Sequence, residues 1–88
     1  MFKVLASRTF QRQFYGIPNK LHNRIKKGLK ELESDPFTPR SNADIKQLND
    51  TDPQKYRIRI GDYRVIYYID GKVVKLIEIF IRGREYRE

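Results

Sequence analysis

The chain has 88 residues, 19 Lys and Arg against 11 Asp and Glu, a formal net charge of +8, and 39% hydrophobic and 34% charged residues. That length predicts a single domain over 1–88 with one modest core, since a chain this size buries only about two-thirds of its unfolded surface. The lack of cysteine excludes disulfides, thiolate metal sites and a cysteine nucleophile; no apolar run nears the roughly 20 residues of a membrane span, and MFKVLASRTF lacks the apolar core of a signal peptide, so a cytoplasmic protein without membrane association is expected.

Phe2, Val4 and Leu5, with Lys3 between them, predict a short first strand. Ser7 is placed to cap a helix that carries Phe10 and Phe14 on one side and ends at Gly16. Pro18 suits the first turn of a second helix, where Leu21, Ile25, Leu29 and Leu32 form one apolar stripe before Asp35-Pro36 stops it. The other side of that helix carries Lys20, Arg24, Lys26, Lys27 and Lys30, which reads either as a nucleic-acid contact or as an ordinary solvated face. His22, alone among these cations, reads as a solvated surface residue with no second histidine for a metal site or an acid/base pair.

From Ser34 to Pro53 the chain reads as a loop, with Ile45 and Leu48 anchoring it to the core. The period then changes to two. Gly61-Asp62 is a two-residue turn pairing Ile60 with Tyr63, Arg59 with Arg64 and Ile58 with Val65. One face of this hairpin carries Tyr56, Ile58, Ile60, Tyr63, Val65, Tyr67 and Ile69, and the other collects Arg57, Arg59 and Arg64. Asp70-Gly71 marks a second hairpin into KVVKLIEIFI, apolar enough for burial on both faces. A two-residue Asp-Gly loop sets Arg64 level with Ile77; a three-residue loop through Lys72 sets it level with Glu78 and adds Arg82 to the arginine face. The predicted class is α+β, with two N-terminal helices packed on one face of a largely antiparallel four-stranded sheet.

Directly opposed like charges weaken a strand pair by a few tenths to about 1 kcal/mol, so three arginines on one face point to an anion. Guanidinium matches phosphate oxygens two at a time, and a phosphodiester is the natural ligand; screening by Glu78, Asp62 and solvent is the ordinary alternative. With no histidine pair, cysteine or metal-binding carboxylate cluster, the simplest cleavage chemistry uses the 2′-hydroxyl of RNA itself, with arginines stabilising the extra charge on the phosphorane. Tyr86, beside Arg82, Arg84 and Arg87, is the titratable candidate, since neighbouring cations favour its phenolate; it reads equally as a core or edge aromatic. Tyr68 is placed to stack on a base or simply to pack.

The chain resembles the RelE toxins of prokaryotic toxin–antitoxin modules, within the RelE/ParE superfamily. The likeness runs from FKVLASRTFQRQF through IKKGLKELESDP to YRIRIGDYRVIYYI and the terminal RGREY. It implies an mRNA interferase, a ribosome-dependent endoribonuclease needing neither metal nor other cofactor, which cuts the codon in the ribosomal A site by 2′-hydroxyl attack and leaves a 2′,3′-cyclic phosphate. It also implies a cognate RelB-like antitoxin whose acidic helical segments cover the basic surface. By resemblance the catalytic set is Arg57 and Arg59 from YRIR, Arg64 from DYR, and Arg82 and Tyr86 from RGREY; Arg64 and Arg82 hold the phosphate and Tyr86 orients or deprotonates the 2′-hydroxyl. Arg84, Arg87, Lys26 and Lys27 are the further RNA-binding candidates, and Arg84 is an alternative to Arg82. Familiar bacterial members carry lysines at the YRIR positions, where arginine cannot readily exchange a proton. The rival readings are a ParE-like toxin that poisons DNA gyrase and a basic RNA-binding homologue without strong catalysis.

Overall fold

A computed structural model describes residues 1–81; Arg82, Arg84, Tyr86 and Arg87 lie outside the described residues. The elements are β1 (Lys3–Ala6), α1 (Arg8–Tyr15), a 3-10 turn (Asn19–Leu21), α2 (His22–Ser34), β2 (Asp44–Gln47), β3 (Lys55–Ile60), β4 (Tyr63–Asp70) and β5 (Val73–Ile81). They form one five-stranded sheet in the order β1-β5-β4-β3-β2, with β1 parallel to β5 and the other pairs antiparallel.

The expected class holds, but the expected strand count was one short. The missed strand is β2, whose DIKQ sequence buries only Ile45 and therefore carries almost no periodic signal. It is an edge strand, and its charged Asp44 and Lys46 suit an edge that must not recruit another chain. Ile45 does enter the core, while Leu48 is half-buried just beyond the strand.

Both helices lie on one face. Phe10, Phe14, Ile25, Leu29 and Leu32 share a buried cluster with Ile58, Ile60, Val65, Tyr67, Val74, Leu76 and Ile79 from the sheet. Ser7 starts α1 as expected: its hydroxyl oxygen accepts the Phe10 N–H at 3.0 Å and its O–H donates to the Ile77 carbonyl at 2.7 Å, so one side chain caps the helix and ties it to β5. The expected first strand forms: Val4 and Ala6 of β1, with Phe2 just before it, pack toward the core, and Leu5 lies on the opposite face, 47% exposed.

His22 is not a solvated residue. Its ring stacks on Phe14 at 4.2 Å, and Nε2 lies 3.0 Å from the Phe14 carbonyl and 2.8 Å from that of Ile17, so Nε2–H donates to the open C-terminal end of α1. Arg40 serves α2 similarly, donating from Nη2 to the Glu31 carbonyl at 2.8 Å and from Nη1 to that of Asp35 at 3.0 Å. Thr38's side chain and the Phe37 N–H hydrogen-bond the Asp35 carboxylate and hold its pKa below the ordinary value.

Helix α2 passes so close to β3 that a Cβ on Gly28 would sit 2.7 Å from Ile60 Cδ1 and 2.8 Å from its Cγ1. Gly28→Ala gains about 1 kcal/mol of helix propensity but must displace a buried, β-branched neighbour at about 1–3 kcal/mol. A net loss of about 1 kcal/mol is expected in urea denaturation; unchanged or higher stability would mean that Ile60 moves aside freely.

Candidate functional site

The β3–β4 turn sets the site. Gly61 has φ +59° while Asp62 keeps a negative φ, the pattern of a type II′ turn, and the resulting pairs are Ile60 with Tyr63, Arg59 with Arg64 and Ile58 with Val65, as expected. The arginines therefore lie on the sheet face away from the helices.

The second hairpin differs from both registers expected for it. Gly71, at φ +64°, takes the first turn position, so Asp70 stays in the strand, pairs with Val73, and the loop is Gly71-Lys72. A bulge between the Ile66–Glu78 and Tyr67–Leu76 pairs leaves Ile77 as the extra residue. Arg64 consequently stands opposite Phe80, and Glu78 stands opposite Ile66.

The open face is then a grid. One row reads Phe80, Arg64, Arg59, Asp44; the next Glu78, Ile66, Arg57, Lys46; the third Leu5, Lys75, Tyr68, Lys55; and the last Lys3, Val73, Asp70. At roughly 3.3 Å per residue, adjacent rows are about 6.6 Å apart. Ile66 is only 2% exposed although it lies on this face, outside the main core cluster and flanked by Arg57 and Glu78.

The three arginines are not equivalent. Arg57 is held: Nη1 donates to the Asp44 carbonyl at 3.2 Å and lies 3.4 Å from Asp44 Oδ1. The carboxylate beside it thus comes from β2, and among the described residues neither Glu78 nor Asp62 forms an ion pair with this trio. Arg59 is exposed. Arg64 is half-buried, and its Nε is buried with no hydrogen-bond partner among the described residues. A buried donor left unpaired costs about 1–3 kcal/mol.

Lys26 and Lys27 belong to α2 in the other layer and do not join the grid. Lys26 borders an apolar groove of about 240 Å³ with Phe10, Phe14 and Tyr15. Lys27 shares with Arg59 and Arg24 a groove of about 440 Å³ at the sheet rim. Arg24 was only one cation among several in the sequence; its guanidinium packs against the Gly61 turn, 3.2 Å from where a Cβ would lie. Tyr67, by contrast, is structural: it is fully buried, its O–H donates to the Pro36 carbonyl at 2.8 Å, and burial pushes its pKa well up. Among the described residues no group of three or more His, Cys, Asp or Glu is placed to hold a metal, and no helix is long and apolar enough to cross a membrane.

A search of curated proteins found no match. Among solved structures, the chain is similar to the archaeal RelE in a RelE–RelB complex from Pyrococcus horikoshii OT3, with 31% identity and a TM-score of 0.79, covering 96% of this chain and 98% of that one. It shares its fold with the isolated RelE toxin of E. coli at 21% identity and TM-score 0.75, over 97% of this chain and 88% of that one. The same fold occurs in the RelB–RelE antitoxin–toxin complex of Methanococcus jannaschii, at 23% identity and TM-score 0.70 with 88% of each chain covered. The family model described as the ParE toxin of the type II toxin–antitoxin system, parDE, matches residues 2–86, and the chain belongs to this RelE/ParE superfamily of type II toxins.

Proposed function

We propose that this toxin is a ribosome-dependent endoribonuclease that cuts mRNA in the A site and is held inactive by a cognate RelB-like antitoxin with acidic helical segments. The observation that carries the reading is the Arg59–Arg64 pair, directly opposed in register on the open face, with Arg64 Nε buried and without a partner among the described residues. Two arginines at opposed positions of adjacent strands can bring guanidiniums to one phosphodiester, and more strongly to the dianionic phosphorane formed from it. The similarity to Pyrococcus horikoshii RelE, solved with RelB, supports the antitoxin, and action on the ribosome places the proposed activity in the cytoplasm.

In this mechanism the 2′-oxygen bonds to the adjacent phosphorus, the bond from phosphorus to the 5′-oxygen breaks, and the products are a 2′,3′-cyclic phosphate and a 5′-hydroxyl. Arg64, with Arg82 from the terminal segment, holds the non-bridging oxygens. Arg57 and Arg59 add positive potential, Arg57 from a fixed position against Asp44. Arginine does not readily take up or release a proton, so the 2′-hydroxyl proton falls to Tyr86, and the 5′-oxygen is reprotonated from solvent. Lys26, Lys27, Arg84 and Arg87 are assigned to RNA contacts beyond the scissile phosphate. Gyrase poisoning is the second reading, favoured by the ParE description of the matching family model.

Expressed in a host, the toxin is expected to produce codon-phased mRNA 5′ ends; a DNA-damage response with intact mRNA would instead select the gyrase reading. Arg64→Ala should change stability by about 1 kcal/mol or less yet slow cutting about 10²- to 10³-fold. Wild-type cutting by that variant would remove Arg64 from the mechanism. Asp44→Asn takes a negative charge from the face, and should tighten RNA binding while costing under about 1 kcal/mol, as for most exposed ion pairs. Weaker RNA binding with the fold intact would show that Arg57 must be held to act.

A further inference from the structure

The grid has a second chemistry two rows from the arginine pair. Tyr68 stands between Lys55 on β3 and Lys75 on β5, in register with both; Lys75 Nζ lies 5.9 Å from the centre of its ring and 3.5 Å from Asp70 Oδ2, an exposed ion pair that a phosphate can displace. Beside it runs a groove of about 400 Å³ walled by Leu5, Leu76 and Ile77. Two features outside the arginine patch make this groove. Leu5 is the residue of β1 that turns away from the core, and Ile77 is the extra residue of the β5 bulge, a device that re-aims side chains.

We infer that this groove seats one unpaired nucleobase of the RNA strand whose phosphate is gripped at Arg59 and Arg64, an inference that rests on the RNA-binding reading above. An aromatic ring flanked by cations on the neighbouring strands is the arrangement of a single-strand stacking platform, where the base gains from the π-face and the flanking phosphates from the cations. Four residues along β4 separate Arg64 from Tyr68, about 13 Å, so a short extended stretch of single strand reaches both. Leu5, Leu76 and Ile77 are apolar, the Ser7 hydroxyl at the groove is engaged with Phe10 and Ile77, and the remaining side-chain donors that border it, the Tyr68 hydroxyl and the flexible Lys75 ammonium, meet acceptors that every base carries. The seat therefore accepts any base and contributes affinity and register rather than sequence choice.

The test is fluorescence anisotropy of the full chain with a short 2′-O-methyl RNA, which cannot be cut, and with versions abasic at one position each. One abasic position should weaken binding roughly 5- to 100-fold. Tyr68→Leu should lose a similar factor on intact RNA, lose nothing further on that abasic RNA, and leave the salt slope unchanged, whereas Tyr68→Phe retains affinity. Leu5→Ser, at an exposed position, provides the same comparison should Tyr68→Leu fold poorly. If Arg64→Ala weakens binding and flattens the salt slope while Tyr68→Leu and Leu5→Ser bind like wild type, the base seat is refuted and the arginine grip stands. No binding of intact RNA by the wild type overturns the base seat, while the ribosome-dependent reading stands or falls on the codon-phased 5′ ends. Self-association abolished by Leu5→Ser with RNA affinity unchanged would assign the groove to a second copy of the chain, and overturn the base seat.

Discussion

The register of the β3–β4 hairpin is the constraint on which the rest depends. Gly61 takes a left-handed φ of +59° that a residue with a Cβ adopts only with strain, and the two-residue turn it permits places Arg59 opposite Arg64. A slip of one residue would send Ile58, Ile60, Val65 and Tyr67 to solvent and the arginines under the helices. Because Ile58, Val65 and Tyr67 are each fully buried, the core itself enforces the position of the cations on the other face. Apolar burial on one side of the sheet thus holds a repulsive arrangement in place on the other.

That arrangement is graded. Arg57 is oriented by Asp44, Arg59 is exposed, and Arg64 keeps a buried Nε with no partner among the described residues. Opposed charge, and a buried donor with no partner among the described residues, are both costs that the sheet carries. Farther along the same strands the character shifts to an aromatic ring between two lysines and an apolar groove. The face is therefore graded along its length, with arginines at the Gly61 end and an aromatic ring beside an apolar groove at the Gly71 end.

Much of this was legible in the residues. The hairpin from Tyr56 to Tyr68 alternates so strictly, and its Gly-Asp turn is so specific, that pairing and facing followed directly. The bulge at Ile77 was not legible, because a near-continuous apolar run such as VVKLIEIFI carries no phase against its neighbour. Strand β2 escaped notice for the opposite reason, having one buried residue in four. His22 was misjudged because its partners, the carbonyls of Phe14 and Ile17, are backbone groups that no side-chain pattern announces.

The sequence by itself determined the two layers, the face on which Arg57, Arg59 and Arg64 lie, and the basic charge that suits a polyanion, because periodicity and turn chemistry are local properties. Only the tertiary structure decided which carboxylate meets Arg57, which residue stands beside Arg64, and that Leu5, Tyr68 and Ile77 border one groove. Those relations join β1, β2 and β5, segments far apart in the chain, and they depend on a bulge and an edge pairing. Such features are selected by how the whole sheet packs against its helices rather than by any short stretch of residues.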